Sequence, residues 1–187
     1  MNTLKTYLKT LKAYGQKNNI PNVSETVGQF LNMMIKIKRP QHILEIGSAN
    51  GYSTLWMASA ARGLGAQIYT IDHSEPTFKQ LEENLSKTGF NDVIIPHFGK
   101  ALEVIAEFPE GLKFDFVFVD GQKAQYLEFW EAIQSWLSED PVLIFDDMLA
   151  FPKKTKVFSQ YLEALEGWEQ LILPLDEGDG VLMMIRG

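Results

Sequence analysis

The sequence predicts an α/β fold in which a seven-stranded, mostly parallel sheet ends in an antiparallel strand and carries helices on both faces. Three observations predict it. From Gln41 onward, short β-rich runs alternate with helical patterns, the rhythm of successive βαβ units around a parallel sheet. The last two strand-like runs, W-E-Q-L-I-L-P-L and V-L-M-M-I-R, are separated only by D-E-G-D-G. That is too short for a crossover helix, so those strands must pair antiparallel. Finally, 187 residues with 45% hydrophobic content suffice for one well-cored domain and not for two.

Taken in order, the chain before Pro40 reads as helices with a loop near Asn18–Ser24. In the first of them Lys5, Lys9 and Lys12 lie opposite Leu4, Leu8 and Leu11, as an amphipathic helix requires. H-I-L-E-I-G reads as the first strand, followed by a helix through Arg62. A-Q-I-Y-T-I-D (66–72) leads into a helix near Glu75–Thr88, and D-V-I-I-P-H-F-G (92–99) into one near Ala101–Phe108. F-D-F-V-F-V-D (114–120) precedes a helix near Gln125–Leu137, and P-V-L-I-F-D-D (141–147) one near Lys156–Leu165. No internal repeat or low-complexity tract interrupts this series.

Composition closes several function classes. The chain has no cysteine, so disulfides, thiolate metal sites and thiol redox chemistry are excluded, and any metal must rest on oxygen or imidazole ligands. No run approaches 18 apolar residues, and lysines stand where a signal peptide needs its apolar stretch; a soluble, cytoplasmic protein is expected. The net charge of −7 weighs against a dedicated nucleic-acid binder. The Lys153, Lys154 and Lys156 cluster reads as a solvated face or as a local exception.

The chemistry begins in L-E-I-G-S-A-N-G-Y-S-T-L-W-M-A (44–58), where Glu45, Gly47 and Gly51 occupy a strand-to-helix turn. Glycine there permits positive φ and close approach of a ligand to the backbone. The spacing fits neither the G-x-G-x-x-G dinucleotide fingerprint nor the Walker loop. Asp72 ends the second strand 25 residues past Gly47, where a carboxylate reaches the ribose hydroxyls of a bound nucleoside. A phosphate-free nucleoside cofactor follows, and His73 stands beside that acid. Asp120, Asp146 and Asp147 end the fourth and fifth strands, so they gather at the same sheet edge. Such acids cap helices or share a cation; three together favour a hard divalent ion such as Mg²⁺ (or Mn²⁺ or Ca²⁺). Lys123, three residues after Asp120, is either an exposed helix-start lysine or a base whose pKa a nearby cation would lower. The histidines His42, His73 and His97 show no ligand spacing.

With its Rossmann-like sheet, glycine turn and Asp72, the sequence resembles class I S-adenosylmethionine-dependent methyltransferases. The resemblance implies that Glu45, Gly47, Ser48, Gly51 and Ser53 lie along the methionine end of the cofactor, and that Gly99, Lys100 and Ala101 flank adenine. The segment D-G-Q-K-A-Q-Y (120–126) and the acids at 146 and 147 make it similar to the cation-dependent O-methyltransferases, the catechol and caffeoyl-CoA group. That similarity implies Asp120, Asp146 and Asp147 as metal ligands, Asp120 also at the cofactor's edge, and Lys123 as the base. Asp147 stands where that group usually has asparagine. The implied acceptor is the hydroxyl of a catechol-like small molecule, for which Trp56, Met148, Leu149 and Phe151 are candidate apolar walls. D-x-x-K-x-Q-Y also resembles bacterial tRNA 5-hydroxyuridine methyltransferases, which makes tRNA an alternative acceptor; a non-catalytic cofactor-binding module is the alternative of another class. A homodimer is expected, with the amphipathic N-terminal helix as its candidate interface.

Overall fold

Helices α1 (Asn2–Lys17) and α2 (Glu25–Lys38) precede the first strand, β1 (His42–Ile46), in a computed structural model that describes residues 2–187. Thereafter strands and helices alternate: α3 (Tyr52–Ala61), β2 (Gln67–Asp72), α4 (Glu75–Thr88), β3 (Ile94–Phe98), α5 (Ala101–Ala106), β4 (Phe114–Val119), α6 (Tyr126–Ile133), β5 (Leu137–Phe145) and α7 (Pro152–Glu163). The chain closes with β6 (Trp168–Asp176) and β7 (Asp179–Arg186). The sheet order is β3-β2-β1-β4-β5-β7-β6. β1 to β5 pair in parallel, and β7 slots antiparallel between β5 and β6. The direction of the chain across the sheet reverses between β1 and β4, which opens a crevice at the carboxyl ends of those strands.

Side-chain alternation divides the interior into two layers, because successive residues of a strand face opposite sides of the sheet. Ile43, Phe116 and Ile144 join α1 to α4 on one face, while Leu44, Val117 and Leu143 join α5, α6 and α7 on the other. The edge strand β3 carries Pro96, tolerated there because an edge N–H need not enter a ladder. α2 begins with Ser24, whose hydroxyl accepts from the Val27 N–H at 3.0 Å, and ends at Arg39 in the left-handed region. Among the described residues no helix is long and apolar enough to cross a membrane.

Three boundaries differ from the sequence reading. β5 starts at Leu137 instead of Pro141, with its pairing to β4 broken between Phe114 and Phe116, so a bulge absorbs the polar S-E-D-P stretch. α6 correspondingly ends at Ile133, and a single 3₁₀ turn through Trp136 takes up the rest of the expected helix. α7 begins at Pro152, before the lysines, because proline suits the first turn of a helix. The apolar face of α1 is also spent inside: Leu8 and Leu11 are buried in the core. Large hydrophobic side chains left exposed in these two helices are Tyr14 of α1 and Met33 and Ile37 of α2.

Candidate active site

The glycine turn links β1 to α3 and is stitched to both neighbouring strands. Gly47 donates its N–H to the Ile71 carbonyl at 2.9 Å, and the Asp120 N–H donates to the Ile46 carbonyl at 2.8 Å. Gly47 has φ +97, and a Cβ there would lie 2.6 Å from the Asp120 carbonyl oxygen. Only glycine fits, because both the conformation and the backbone contact exclude a side chain. The Asn84 side-chain amide braces the turn from α4, donating to the Asn50 carbonyl at 2.8 Å while accepting from the Tyr7 hydroxyl of α1 at 2.7 Å.

Glu45 and Ser53 lie beneath this turn and not on its open side. The Glu45 carboxylate is fully buried and accepts from the hydroxyls of Ser53 (2.6 Å), Thr54 (2.6 Å) and Thr70 (2.5 Å). Burial raises its pKa to about 7, although those hydroxyl bonds favour the ionised form. In this position Glu45 and Ser53 brace the loop from within. Gly51 precedes α3 as its N-cap with φ +87, and a Cβ there would lie 2.5 Å from Leu81 Cδ1. Ser48 and Asn50 are buried in the turn, and their side-chain polar atoms have no partner among the described residues. Orphaned polar atoms at such a turn fit a polar ligand; Asn50 escaped sequence reasoning because asparagine in a turn reads first as turn chemistry.

A cleft of about 660 Å³ opens over the turn, lined among others by Gly47, Ala49, Asp72, Lys100, Asp120 and Lys123. His73, Gly99 and Ala101 also stand on its wall. Asp72 accepts the Ala49 N–H at 2.7 Å and the Ser74 N–H at 2.8 Å. Each of its oxygens keeps a free lone pair for a ligand hydroxyl. A second cleft of about 430 Å³ at the amino ends of the strands, lined by Gln41, Arg62, Gln67 and Asp92, holds none of the chemistry-bearing residues.

Next to the cofactor-sized cleft the acids are arranged differently from the sequence expectation. Lys123 Nζ lies 2.5 Å from Asp120 and 2.7 Å from Asp147, so it bridges the ends of β4 and β5. Asp146 and Asp147 gather with Asp179, their carboxylate oxygens all within 4.8 Å of one another. Asp120 is not in that trio; its nearest cation is the Lys123 ammonium. Asp179 escaped sequence reasoning because it sits in the final hairpin, remote in sequence and without motif spacing. Its Oδ1 accepts the N–H groups of Gly180 (2.6 Å), Ala150 (3.0 Å) and Leu149 (3.3 Å).

Burial and neighbouring carboxylates push Asp120 and Asp146 upward, and burial raises Asp147. Asp179 is held below its ordinary value: burial opposes this, but its bonds from the Asp147 side chain and the three N–H groups outweigh it. Burial also pulls the Lys123 ammonium down, yet Asp120 and Asp147 together outweigh it and hold the pKa above the usual lysine value. That direction follows from the carboxylates in contact with Nζ; the lowering expected from the sequence belongs to a site that holds a cation. Tyr126 is buried, with its hydroxyl donating to the Asp146 carbonyl at 2.9 Å, which fixes the end of β5. An all-carboxylate oxygen set fits a hard divalent cation.

Of the expected apolar walls, Trp56 packs against Gly28 and Met148 is buried in the core. Leu149 and Phe151 are exposed beside the acids, with the Lys154 ammonium 4.9 Å from the Phe151 ring centre. Lys12 leaves the solvated lysine face: its ammonium donates to the Asn22 and Val23 carbonyls at 2.6 and 2.7 Å.

The chain is 31% identical over 134 residues to caffeoyl-CoA O-methyltransferase 1 of Eucalyptus globulus, which covers 70% of this chain and 54% of that relative. It is 29% identical over 112 residues to a catechol O-methyltransferase of Niastella koreensis, covering 59% and 50%. The chain thus spans about half the length of the curated relatives it matches. Among solved structures it resembles an O-methyltransferase from Bacillus cereus in complex with SAH, with a TM-score of 0.86 and 25% identity over 97% of this chain and 91% of that one. An SAH-bound methyltransferase from Podospora anserina, 21% identical with a TM-score of 0.88 over 100% and 88% of the two chains, shares the fold. A sequence profile described as O-methyltransferase matches residues 2–172, and with that span the chain belongs to the O-methyltransferase family.

Proposed function

We propose that this protein transfers the methyl group of S-adenosylmethionine to a hydroxyl of a catechol-like small molecule, assisted by a divalent cation. One observation carries the reading: Gly47 and Asp72 line the same cleft as Asp120 and Lys123, so a cofactor over the turn faces the acid-rich corner. The relatives named for catechol and caffeoyl-CoA methylation support the acceptor class.

When bound, S-adenosylmethionine supplies an electrophilic sulfonium methyl. Gly47 keeps the turn open to it, and the free lone pairs of Asp72 accept from vicinal ribose hydroxyls. Ser48 and Asn50 offer their orphaned polar atoms to its polar end. Asp120, Asp146 and Asp147, at the ends of β4 and β5, would hold a hard cation, which would supply Lewis acidity toward an acceptor oxygen. Lys123 Nζ handles the proton. As an ammonium it donates to Asp120 and Asp147, and it becomes a base only when that pairing loosens. Leu149 and Phe151 present an apolar edge to the ring of an acceptor. No covalent intermediate on the chain is required: proximity of acceptor oxygen and methyl carries the transfer.

The test is transfer of labelled methyl to a catechol panel and to bulk tRNA, with Mg²⁺ or with chelator. Catechols should be labelled, and Lys123→Met should lower kcat by at least about 100-fold while SAH still binds. Labelled tRNA with unlabelled catechols would assign the nucleic-acid acceptor instead. SAH binding with neither acceptor labelled would leave a cofactor-binding module.

A further inference from the structure

We infer that Lys12 of α1 is a positioning residue of the cofactor cleft: its ammonium fastens the loop between α1 and α2, so that the loop walls the space in which S-adenosylmethionine binds. This rests on the methyltransferase reading above and adds to it a residue outside every motif of the sequence. Pro21 of that loop lines the cleft of about 660 Å³ together with Gly47, Asp72 and Lys123. From Ile20 to Ser24 the chain has no regular secondary structure, so no ladder of its own holds it in place. Two supports from α1 do so. The Lys12 ammonium donates to the consecutive carbonyls of Asn22 and Val23 at 2.6 and 2.7 Å, bonds that the charge strengthens. Three residues on, and so on the same side of the helix, Gly15 lies against the loop. A Cβ there would stand 2.2 Å from Asn22 Nδ2, and the Gly15 carbonyl accepts the Ile20 N–H at 2.9 Å.

Lys12 also joins the loop to the glycine turn. Its Nζ stands 5.5 Å from the ring centre of Tyr52, the first residue of α3 and the one after Gly51, and a cation at that distance is attracted to the ring. Its surroundings are those of the site. Burial lowers the pKa of the ammonium, while Asp176, Asp120 and Asp146 act in the opposite sense, so it stands in the field of the acids at the ends of β4, β5 and β6. Amphipathicity accounts for Lys5 and Lys9, which are exposed. It does not account for a lysine on the same helix that gives up water for two carbonyls, since a solubilising lysine keeps its ammonium hydrated.

The test measures SAH affinity by calorimetry and amide exchange of residues 18–24 by mass spectrometry in the wild type, Lys12→Met, Lys12→Arg and Leu8→Ala. Methionine keeps the unbranched apolar stem and removes the donors. Lys12→Met should weaken SAH binding at least about tenfold and speed exchange in residues 18–24, with exchange in β1 unchanged. Lys12→Arg keeps charge and donors and should bring SAH affinity back to within about threefold of the wild type. Leu8→Ala opens a cavity under α1 and leaves both loop supports in place, so it should lower the melting temperature while SAH affinity stays within about threefold of the wild type. A Lys12→Met protein that binds SAH as the wild type does, or no more weakly than Leu8→Ala, overturns the inference, as does a loss that Lys12→Arg fails to restore. A wild type that binds no SAH would fail the methyltransferase reading itself. Should Lys12→Met not fold, Gly15→Val decides by pushing the loop off its second support with the ammonium in place. SAH binding weaker by at least about threefold, with faster exchange in residues 18–24, supports the positioning role; wild-type affinity refutes it.

Discussion

Glu45 shows how one buried residue ties the site to global stability. Its carboxyl has an ordinary value of 4.5 and is raised to about 7 in the fold by burial. Between those values the folded chain holds a proton that the unfolded chain has released. Stability is therefore greatest below about 4.5 and is lost as pH rises toward about 7, by at most about 3 kcal/mol from this group. Glu45→Gln should remove that part of the slope, which chemical denaturation at several pH values will show as a flatter profile than the wild type; an unchanged slope would exclude the assignment. The sequence made Glu45 legible as an important acid but not as a buried one. A carboxylate one residue before Ile46 and two before Gly47 has the same spelling whether it faces the cleft or the Ser53, Thr54 and Thr70 hydroxyls.

At the scale of elements, α2 and α3 are locked by Asn32, whose side-chain amide donates to the Trp56 carbonyl at 2.9 Å and to the Ser59 hydroxyl at 2.7 Å. Asn32 is buried, so Asn32→Ala removes two bonds that are shielded from bulk solvent. A loss of about 1–2 kcal/mol is expected, read as a melting temperature lower by a few degrees; an unchanged melting temperature would show the lock to be idle. The helices of the βα units were legible because their apolar periodicity and flanking turns agree. α4, expected at Glu75–Thr88, spans those residues. The β5 boundary was not, because S-E-D-P reads as a turn and only pairing with β4 extends the strand to Leu137. Propensity loses there to a ladder that no local window contains.

For the whole molecule, the N-terminal helices are part of the core and not an appendage. Leu8, Leu31 and Ile35 are 2%, 0% and 0% exposed and belong to the same cluster as Ile43 and Phe116 of the sheet. A chain lacking α1 and α2 would bare one face of the sheet. It should lose its cooperative thermal transition and bind a hydrophobic dye, as expected when several large side chains are uncovered at about 2–5 kcal/mol each; a retained sharp transition would contradict this. The same helices also reach the site, since Tyr7 of α1 supports Asn84 and through it the glycine turn. The packing of the N-terminal helices and the position of the glycine turn are thus coupled through one layer.

The sequence by itself determined the seven-strand plan, the glycine turn, Asp72 and the gathering of acids at the carboxyl ends of the strands. Each of these follows from local pattern plus the rule that parallel strands end on a common edge. Only the tertiary structure decided which way Glu45 faces, that Lys123 is clasped by Asp120 and Asp147, and that Asp179 meets Asp146. Those depend on contacts between segments far apart in the chain, where burial and charge are set by neighbours that no local spacing specifies.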